Sequence, residues 1–113
     1  MAIPSGSGTE VLKRATIHDN NNTSTEILSG VANHIYTILS ITCADQTGSA
    51  QNIAIRMNDG ANEIYILPTT SLPANGSFCW NDKFVLTGDD DLDVYNSGAQ
   101  GDWMVSYIDQ DFT

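Results

Sequence analysis

Short apolar runs separated by polar turn residues fill the chain from Val11 to its end. The strongest run, 35–43, is dense in β-branched and aromatic residues, a composition that favours a β-strand. No segment repeats apolar residues at the three- and four-residue spacing of an amphipathic helix for long enough to form one. The pattern therefore predicts an all-β protein built from antiparallel strands.

Turn signals divide the chain into about eight or nine strands. Asp59-Gly60 lies between two alternating runs and predicts a β-hairpin, and Asn75-Gly76 predicts a second turn. A final strand pair is predicted around the segment 97–102. The predicted strands are 11–18, 25–28, 35–43, 53–57, 63–67, 77–80, 83–86, 92–96 and 103–108. Their spacing is typical of an antiparallel β-sandwich or a jelly-roll-like barrel of about eight strands.

The strand 35–43 is expected to present two distinct faces. Strict two-residue alternation divides its side chains between the two faces. One predicted set is Ile35, Thr37, Leu39, Ile41 and Cys43, and the other is Tyr36, Ile38, Ser40 and Thr42.

At 113 residues the chain has the length of one domain. Residues 1–10 are small and rich in Gly and Ser, which predicts a flexible arm, and 11–113 form the predicted single β-sandwich domain. The start of the chain lacks the basic and apolar regions of a signal peptide. No run approaches the roughly 20 apolar residues of a membrane helix. We therefore expect a soluble protein made in the cytoplasm, with no membrane partner.

The charge balance excludes one large class of partner. The chain has fourteen carboxylates and a formal charge of −10. Its four strong cations are Lys13, Arg14, Arg56 and Lys83. Binding to DNA or RNA requires a basic surface that displaces counterions from phosphates. Four scattered cations do not supply that surface, so no nucleic-acid partner is expected. A protein partner would be basic, or would bind through apolar and backbone contacts.

The two histidines are weak candidates for catalysis. His18 and Asp19 are adjacent, and neighbouring residues on a strand point to opposite faces, so no dyad is expected. His34 has no acidic neighbour in the sequence. Phosphate loops, dinucleotide fingerprints, zinc spacings and nucleophile elbows are all absent. The sequence therefore predicts a protein that is not an enzyme and uses no cofactor.

The acidic run after Gly88 is the strongest candidate for a metal site. Clustered carboxylates are ligands that Ca²⁺ prefers, although this spacing is not that of an EF-hand. The alternative is a solvated turn in which Asp residues are favoured by turn geometry. The candidate ligands are Asp89, Asp90, Asp91 and Asp93.

Cys43 and Cys79 are far apart and form no C-x-x-C pair. Each lies in an apolar run, which predicts two buried free thiols, with a bridge between adjacent strands as the alternative. Trp103 and Phe112 flank a short acidic tail and are candidate interface anchors, although a core position is favoured for Trp103. With Ile3 and Pro4 of the arm, they complete the predicted interface residues.

Five segments, taken in order, resemble the small virion proteins of tailed phages, especially podovirus-like and cyanophage-like ones. The segments are 11–14, 27–40, 72–78, 82–89 and 106–112. Short acidic members of that group resemble capsid cement or decoration proteins. The resemblance implies a β-sandwich or β-barrel without catalysis, located in the virion and assembled in the host cytoplasm. It also implies a homotrimer that binds the major capsid protein on the outer face of the head.

Two other functions stay open at this point. The first is a neck or tail component, such as an adaptor or tail accessory protein, built on a similar sandwich. The second is a carbohydrate-binding or receptor-binding module. That module would use exposed aromatic platforms and often Ca²⁺, for which Trp80, Trp103 and the acidic run are the candidates.

Overall fold

The computed structural model describes residues 9–20, 22–98 and 100–113. Within these ranges no helix is long and apolar enough to cross a membrane. The chain forms nine β-strands in these ranges. The strands are β1 (Thr9–Ile17), β2 (Thr23–Ser29), β3 (His34–Asp45), β4 (Gln51–Asn58), β5 (Glu63–Leu72), β6 (Ser77–Trp80), β7 (Phe84–Thr87), β8 (Asp91–Asn96) and β9 (Gly101–Asp111).

The strands form two antiparallel sheets that pack face to face. The first sheet has the order β1-β9-β3-β6, with β7 also paired to β3, and the second has the order β2-β8-β4-β5. Strands β6 and β7 lie end to end along β3, because β6 pairs with 41–44 and β7 with 35–38. Nine segments therefore occupy eight strand positions. This is the arrangement of a jelly roll, and the predicted all-β sandwich is confirmed.

The predicted hairpins have different outcomes. Strands β4 and β5 pair around Asp59-Gly60 as predicted. The predicted pairing of 92–96 with 103–108 is wrong, because β8 belongs to the second sheet and β9 to the first. The connection from β8 to β9 crosses from the second sheet to the first, and the buried side-chain amide of Asn96 fixes this crossing. Asn96 accepts a hydrogen bond from Trp103 Nε1 at 2.9 Å and donates one to Gln51 Oε1 at 3.1 Å.

Gly101 is required at the same crossing. A Cβ atom built at this position would lie 2.7 to 2.9 Å from the side chain of Asn96. Any larger residue would therefore displace the amide that accepts the Trp103 hydrogen bond.

The predicted faces of β3 are wrong beyond its middle. The register with β9 passes from Ile38 opposite Tyr107 to Ser40 opposite Ser106, so Leu39 is an extra residue in a β-bulge. The bulge reverses the alternation, and Tyr36, Ile38, Ile41 and Cys43 are all buried.

The core lies between the two sheets. Its fully buried large side chains include Trp103, which is 2% exposed. The core position favoured for Trp103 is therefore confirmed, and its predicted role as an interface anchor is wrong. The main core residues are Leu28, Tyr36, Ile38, Ile41, Cys43, Ile53, Ile55, Leu72, Leu86, Leu92, Val94, Trp103, Val105 and Tyr107.

The cysteines are both free, as predicted, but only Cys43 is buried. Cys79 pairs with Thr42 across the strands, and Cys43 pairs with Phe78. The two thiols therefore point to opposite faces of the first sheet, which prevents a bridge between them. The burial predicted for Cys79 is wrong for the same reason.

Strand β1 begins within the segment predicted to be a flexible arm. Thr9 and Glu10 pair with Asp111 and Gln110, so these two residues belong to the sheet. The rest of the predicted arm, with Ile3 and Pro4, lies outside the described residues.

Candidate assembly interface

The central rows of the outward face of the first sheet carry almost no charge, whereas Glu10 and Asp102 lie in the rows on either side of them. Residues opposite each other on paired strands share a face, so the register defines three central rows that run across this sheet. Arg14 is the one charged residue in them. The rows are Leu12-Ile108-Thr37-Val85, Arg14-Ser106-Ser40 and Thr16-Met104-Thr42-Cys79. We call this surface the charge-poor face.

The charge-poor face also carries exposed apolar side chains. Leu12 is 72% exposed and Val85 is 47% exposed. The bulge turns Leu39 toward this side, where an open depression of about 510 Å³ is lined by Leu12, Lys13, Arg14, Leu39, Ser40 and Ser106. An exposed apolar surface with a depression is a common feature of protein–protein interaction sites.

The outward face of the second sheet is charged. The register places Glu26, Asp93, Arg56 and Tyr65 in one row, and Ser29, Asp91, Asn58 and Glu63 in the next. These two rows contain four carboxylates and one guanidinium. We call this surface the charged face.

Arg56 partly neutralises the charged face. Its Nη1 lies 2.6 Å from Glu63 Oε1, and its guanidinium lies 5.7 Å from the centre of the Tyr65 ring. The carboxylates also act on one another. The hydrogen bond to Asp91, burial and the nearby negative charges raise the pKa of Glu26. Burial raises the pKa of Asp93, and Arg56 opposes that shift.

A polar cluster ties β1 to β9 and β3 at one end of the first sheet. Asp109 accepts a hydrogen bond from Lys13 Nζ at 2.8 Å, and its other oxygen lies 2.7 Å from His34 Nδ1. Burial acts to raise the pKa of Asp109, but the hydrogen bonds from Lys13 and His34 hold that pKa below its usual range. The cluster fastens the edge strand that bears Leu12.

His34 has carboxylate partners that its sequence neighbours do not reveal. Asp109 and Asp111 are both close to its ring, the latter at 3.4 Å from Nε2. His18 and Asp19 also meet, with 3.0 Å between Nε2 and Oδ2, so their predicted separation is wrong. The reason is that β1 ends at Ile17, and Asp19 has a positive φ of 56° that turns it out of the strand.

The acidic run does not bring its carboxylates to one point. Asp91 and Asp93 lie on the charged face, where Asp91 Oδ1 accepts a hydrogen bond from Ser29. Asp90 is buried and accepts a hydrogen bond from the Thr87 amide at 2.9 Å. Asp89 is exposed in the turn before β8, beside Gly60. Among the described residues, the group whose ligand atoms converge is instead His18, Asp19 and Asp102.

The remaining predicted interface residue is Phe112. It is partly buried, and its amide donates a hydrogen bond to the Asn33 carbonyl at 2.9 Å. The backbone of the chain end is therefore tied to the turn before β3. The outward rows of the first sheet were not found by sequence reasoning, because they depend on strand order and on the bulge.

No protein-family model matches the chain, and no curated protein matches it. Solved structures do share its fold. A chain from the capsid of the Helicobacter pylori bacteriophage KHP30 gives a TM-score of 0.57 at 12% identity, over 91% of this chain and 90% of that chain. A chain of the Bacillus endospore appendages, a family of disulfide-linked pili, gives 0.58 at 16% identity, over 100% and 97%.

A chain of infectious bursal disease virus gives a TM-score of 0.59 at 8% identity, over 93% of this chain and 34% of that chain. The present chain therefore spans about a third of the length of that viral chain. Identities this low show a shared fold and nothing more. The fold occurs both in viral particles and in a pilus, so the fold alone does not distinguish these functions and the surface of the protein must.

Proposed function

We propose that this protein is a structural protein of a viral particle, and specifically a cement protein that binds the outer face of a phage head. The contrast between the charge-poor face and the charged face carries the proposal. The charge-poor face binds the major capsid protein, and the charged face points to solvent.

The charge-poor face can lose its contact with water at little electrostatic cost. Burying an unpaired charge is expensive, so interface cores contain few charged residues. The three central rows of the charge-poor face contain Arg14 alone, in a chain whose net charge is −10. This face is therefore the surface that can be covered at the lowest electrostatic cost.

The charged face is suited to remain in contact with solvent. The charged face carries Glu26, Asp91, Asp93 and Glu63. Outward carboxylates keep neighbouring copies soluble and discourage further layers from adding through repulsion. The difference between the two faces therefore supports a shell that carries a single layer of this protein, with the charged face of each copy pointing outward.

The fold is shared with a chain from a phage capsid. The alignment with the KHP30 capsid chain covers 91% of this chain and 90% of that chain. A rigid jelly roll that bridges several shell subunits adds contacts across each junction and resists swelling of the shell. A homotrimer placed over such junctions, with Ile3 and Pro4 of each arm on a neighbouring subunit, completes the proposal.

A pilus subunit is the second candidate, because the Bacillus appendage chain matches this one over its whole length. The thiols argue against the disulfide-linked form. Cys43 is buried, so Cys79 is the one accessible thiol. A subunit with a single accessible thiol forms a disulfide dimer and not a polymer. Electron microscopy of the purified protein separates the two candidates, since a pilin forms filaments and a cement protein forms discrete oligomers.

Two further alternatives have distinct signatures. A neck or tail adaptor would form a ring-sized oligomer, which mass photometry distinguishes from a trimer. A carbohydrate-binding module loses one predicted platform, because Trp103 is buried. The other, Trp80, is partly buried and donates its Nε1 hydrogen to the Asp82 carbonyl at 3.0 Å.

The binding test uses capsids that the virus encoding this chain assembles without it. Leu12→Asp places a carboxylate in the charge-poor face, and we expect binding in a sedimentation assay to fall by about 10-fold or more. Tyr65→Asp is the matched control, since Tyr65 is 52% exposed on the edge strand of the charged face. Binding that is insensitive to Leu12→Asp but lost in Tyr65→Asp would overturn the proposed orientation, and no binding by the unmodified protein would overturn the function.

A further inference from the structure

The turn between β1 and β2 brings three metal-ligating side chains together at the end of the first sheet opposite Asp109. His18 Nδ1 lies 2.8 Å from Asp102 Oδ1, and His18 Nε2 lies 3.0 Å from Asp19 Oδ2. One ligand atom from each of the three residues lies within 4.8 Å of the others. His18 and Asp19 are adjacent in the chain, whereas Asp102 follows His18 by 84 positions.

Backbone hydrogen bonds hold the Asp102 carboxylate and the turn that carries Asp19. The Asp19 amide donates a hydrogen bond to Asp102 Oδ1 at 3.0 Å, and the Asn20 amide donates one to the Gly101 carbonyl at 3.1 Å. The side-chain amide of Gln46 donates to the second oxygen of Asp102. The β1–β2 turn, the start of β9 and the loop after β3 therefore converge on Asp102.

The electrostatics of the cluster favour a cation. The two carboxylates contact opposite nitrogens of the His18 ring, Asp102 at Nδ1 and Asp19 at Nε2. An ion bound by all three residues takes one of these nitrogens and replaces the hydrogen bond at the other. The His18 side chain is 76% exposed, so an ion and its waters can reach the site from solvent. A divalent ion would neutralise the excess negative charge that one imidazole leaves.

The donor set selects the kind of ion. One imidazole nitrogen and two carboxylate oxygens suit a first-row transition metal such as Zn²⁺, whereas Ca²⁺ and Mg²⁺ prefer oxygen ligands alone. Three protein ligands leave a fourth position of a tetrahedral Zn²⁺ site for water. We propose that His18, Asp19 and Asp102 bind a divalent transition-metal ion of this class, which fastens the β1–β2 turn to β9.

The test is a thermal melt of the full chain with ZnCl₂, read alongside calorimetric titration. At an ion concentration about 100 times the Kd, we expect Tm to rise by about 10 °C. His18→Gln should remove the rise, and it keeps the fold because the side chain is exposed. Asp89→Asn, from the acidic run, is the matched control and should leave the rise unchanged.

Three outcomes would overturn the site. They are no rise for the unmodified chain, an equal rise in His18→Gln, or an equal rise with MgCl₂ in place of ZnCl₂. Co²⁺ provides an independent measurement, since binding through imidazole and carboxylate should give a visible absorption band that is lost in His18→Gln. The capsid-binding assay does not depend on any of these results, so failure of the metal site and failure of the proposed function are distinguishable.

Discussion

The two outward sheet faces of this protein follow the same alternation rule but differ in charge. Each covers the same core from its own side, and each is crossed by rows of opposed residues. The charge-poor face has Arg14 as its one charge in three central rows, whereas two rows of the charged face hold Glu26, Asp91, Asp93, Glu63 and Arg56. Folding requires apolar residues only on the inward faces, so the difference outside must have another cause.

The difference identifies the surface that can be covered at the lower electrostatic cost. Charges on an outward face favour solubility, and their absence removes a barrier to binding. In a chain with fourteen carboxylates, three adjacent rows with a single charged residue are a specific departure from the average surface. We therefore assign assembly to the charge-poor face.

The largest expected effect comes from blocking the charge-poor face at Cys79. Burial raises the pKa of Cys43 to about 12, so a polymer-linked maleimide should modify Cys79 alone and leave Cys43 as the thiol. Because Cys79 lies in the same central row of the charge-poor face as Met104, the attached polymer should abolish capsid binding. Sedimentation of labelled protein with capsids measures this.

Two variants control the labelling experiment. Cys79→Ser treated with the same reagent should bind normally. Tyr65→Cys in that background carries the polymer on the charged face and should also bind. Loss of binding in Tyr65→Cys but not in the protein labelled at Cys79 would reverse the comparison.

The next effect concerns the cluster that fastens β1. Asp109→Asn should lower the free energy of unfolding by about 1–3 kcal/mol, because Lys13 and His34 lose a charged acceptor. The pKa of Asp109 is held below its usual range when folded. Its contribution is therefore present above the pKa of an unfolded aspartate, about 3.9, and is lost as the pH falls through the lower folded value.

Denaturant unfolding at pH 7 and at pH 3 measures both parts of this prediction. The variant should be less stable at pH 7 and should lose less stability on acidification. Asp82→Asn, an exposed carboxylate, is the control and should behave like the unmodified protein. An Asp109→Asn variant with unchanged stability at pH 7 would show that the cluster does not hold β1.

A smaller effect is expected on the charged face. Arg56→Ala removes the cation that contacts Glu63 and Tyr65, and we expect a loss of about 1 kcal/mol. The remaining carboxylates then repel one another, so the loss should be greater at low ionic strength and smaller at high salt. Thermal melts in low and high NaCl measure it, with Lys83→Ala as the exposed control. A loss independent of salt would contradict the electrostatic account of this face.

The smallest expected effect is the response of capsid binding to salt. Docking through the charge-poor face should change affinity by less than about threefold between low and high NaCl, since few charges meet at the contact. Docking through the charged face would change affinity by about 10-fold or more. Titrations at several salt concentrations distinguish the two.

The local features of the fold were predictable from the sequence because they depend on short-range patterns. The β4–β5 hairpin follows from Asp59-Gly60 between alternating runs, and the strand β3 follows from its β-branched composition. The bulge at Leu39 was not predictable, because an extra residue is recognised from the partner register and not from β3 alone.

The candidate surfaces were less predictable because they join residues that are distant in the chain. Leu12 meets Ile108 only through the β1–β9 register, and His18 meets Asp102 only through the turn that follows β1. The pairing predicted between 92–96 and 103–108 failed for a related reason. A short connection resembles a hairpin in sequence, and the buried Asn96 that ties it across two sheets carries no local signal.

A cryo-electron microscopy map of capsids incubated with this protein tests most directly whether the charge-poor face binds the outer surface of the shell. We expect discrete density on the outer surface, with β1, β9 and β3 against the shell and Arg56 and Tyr65 facing solvent. Density with the charged face against the shell, or capsids that remain undecorated, would contradict this expectation.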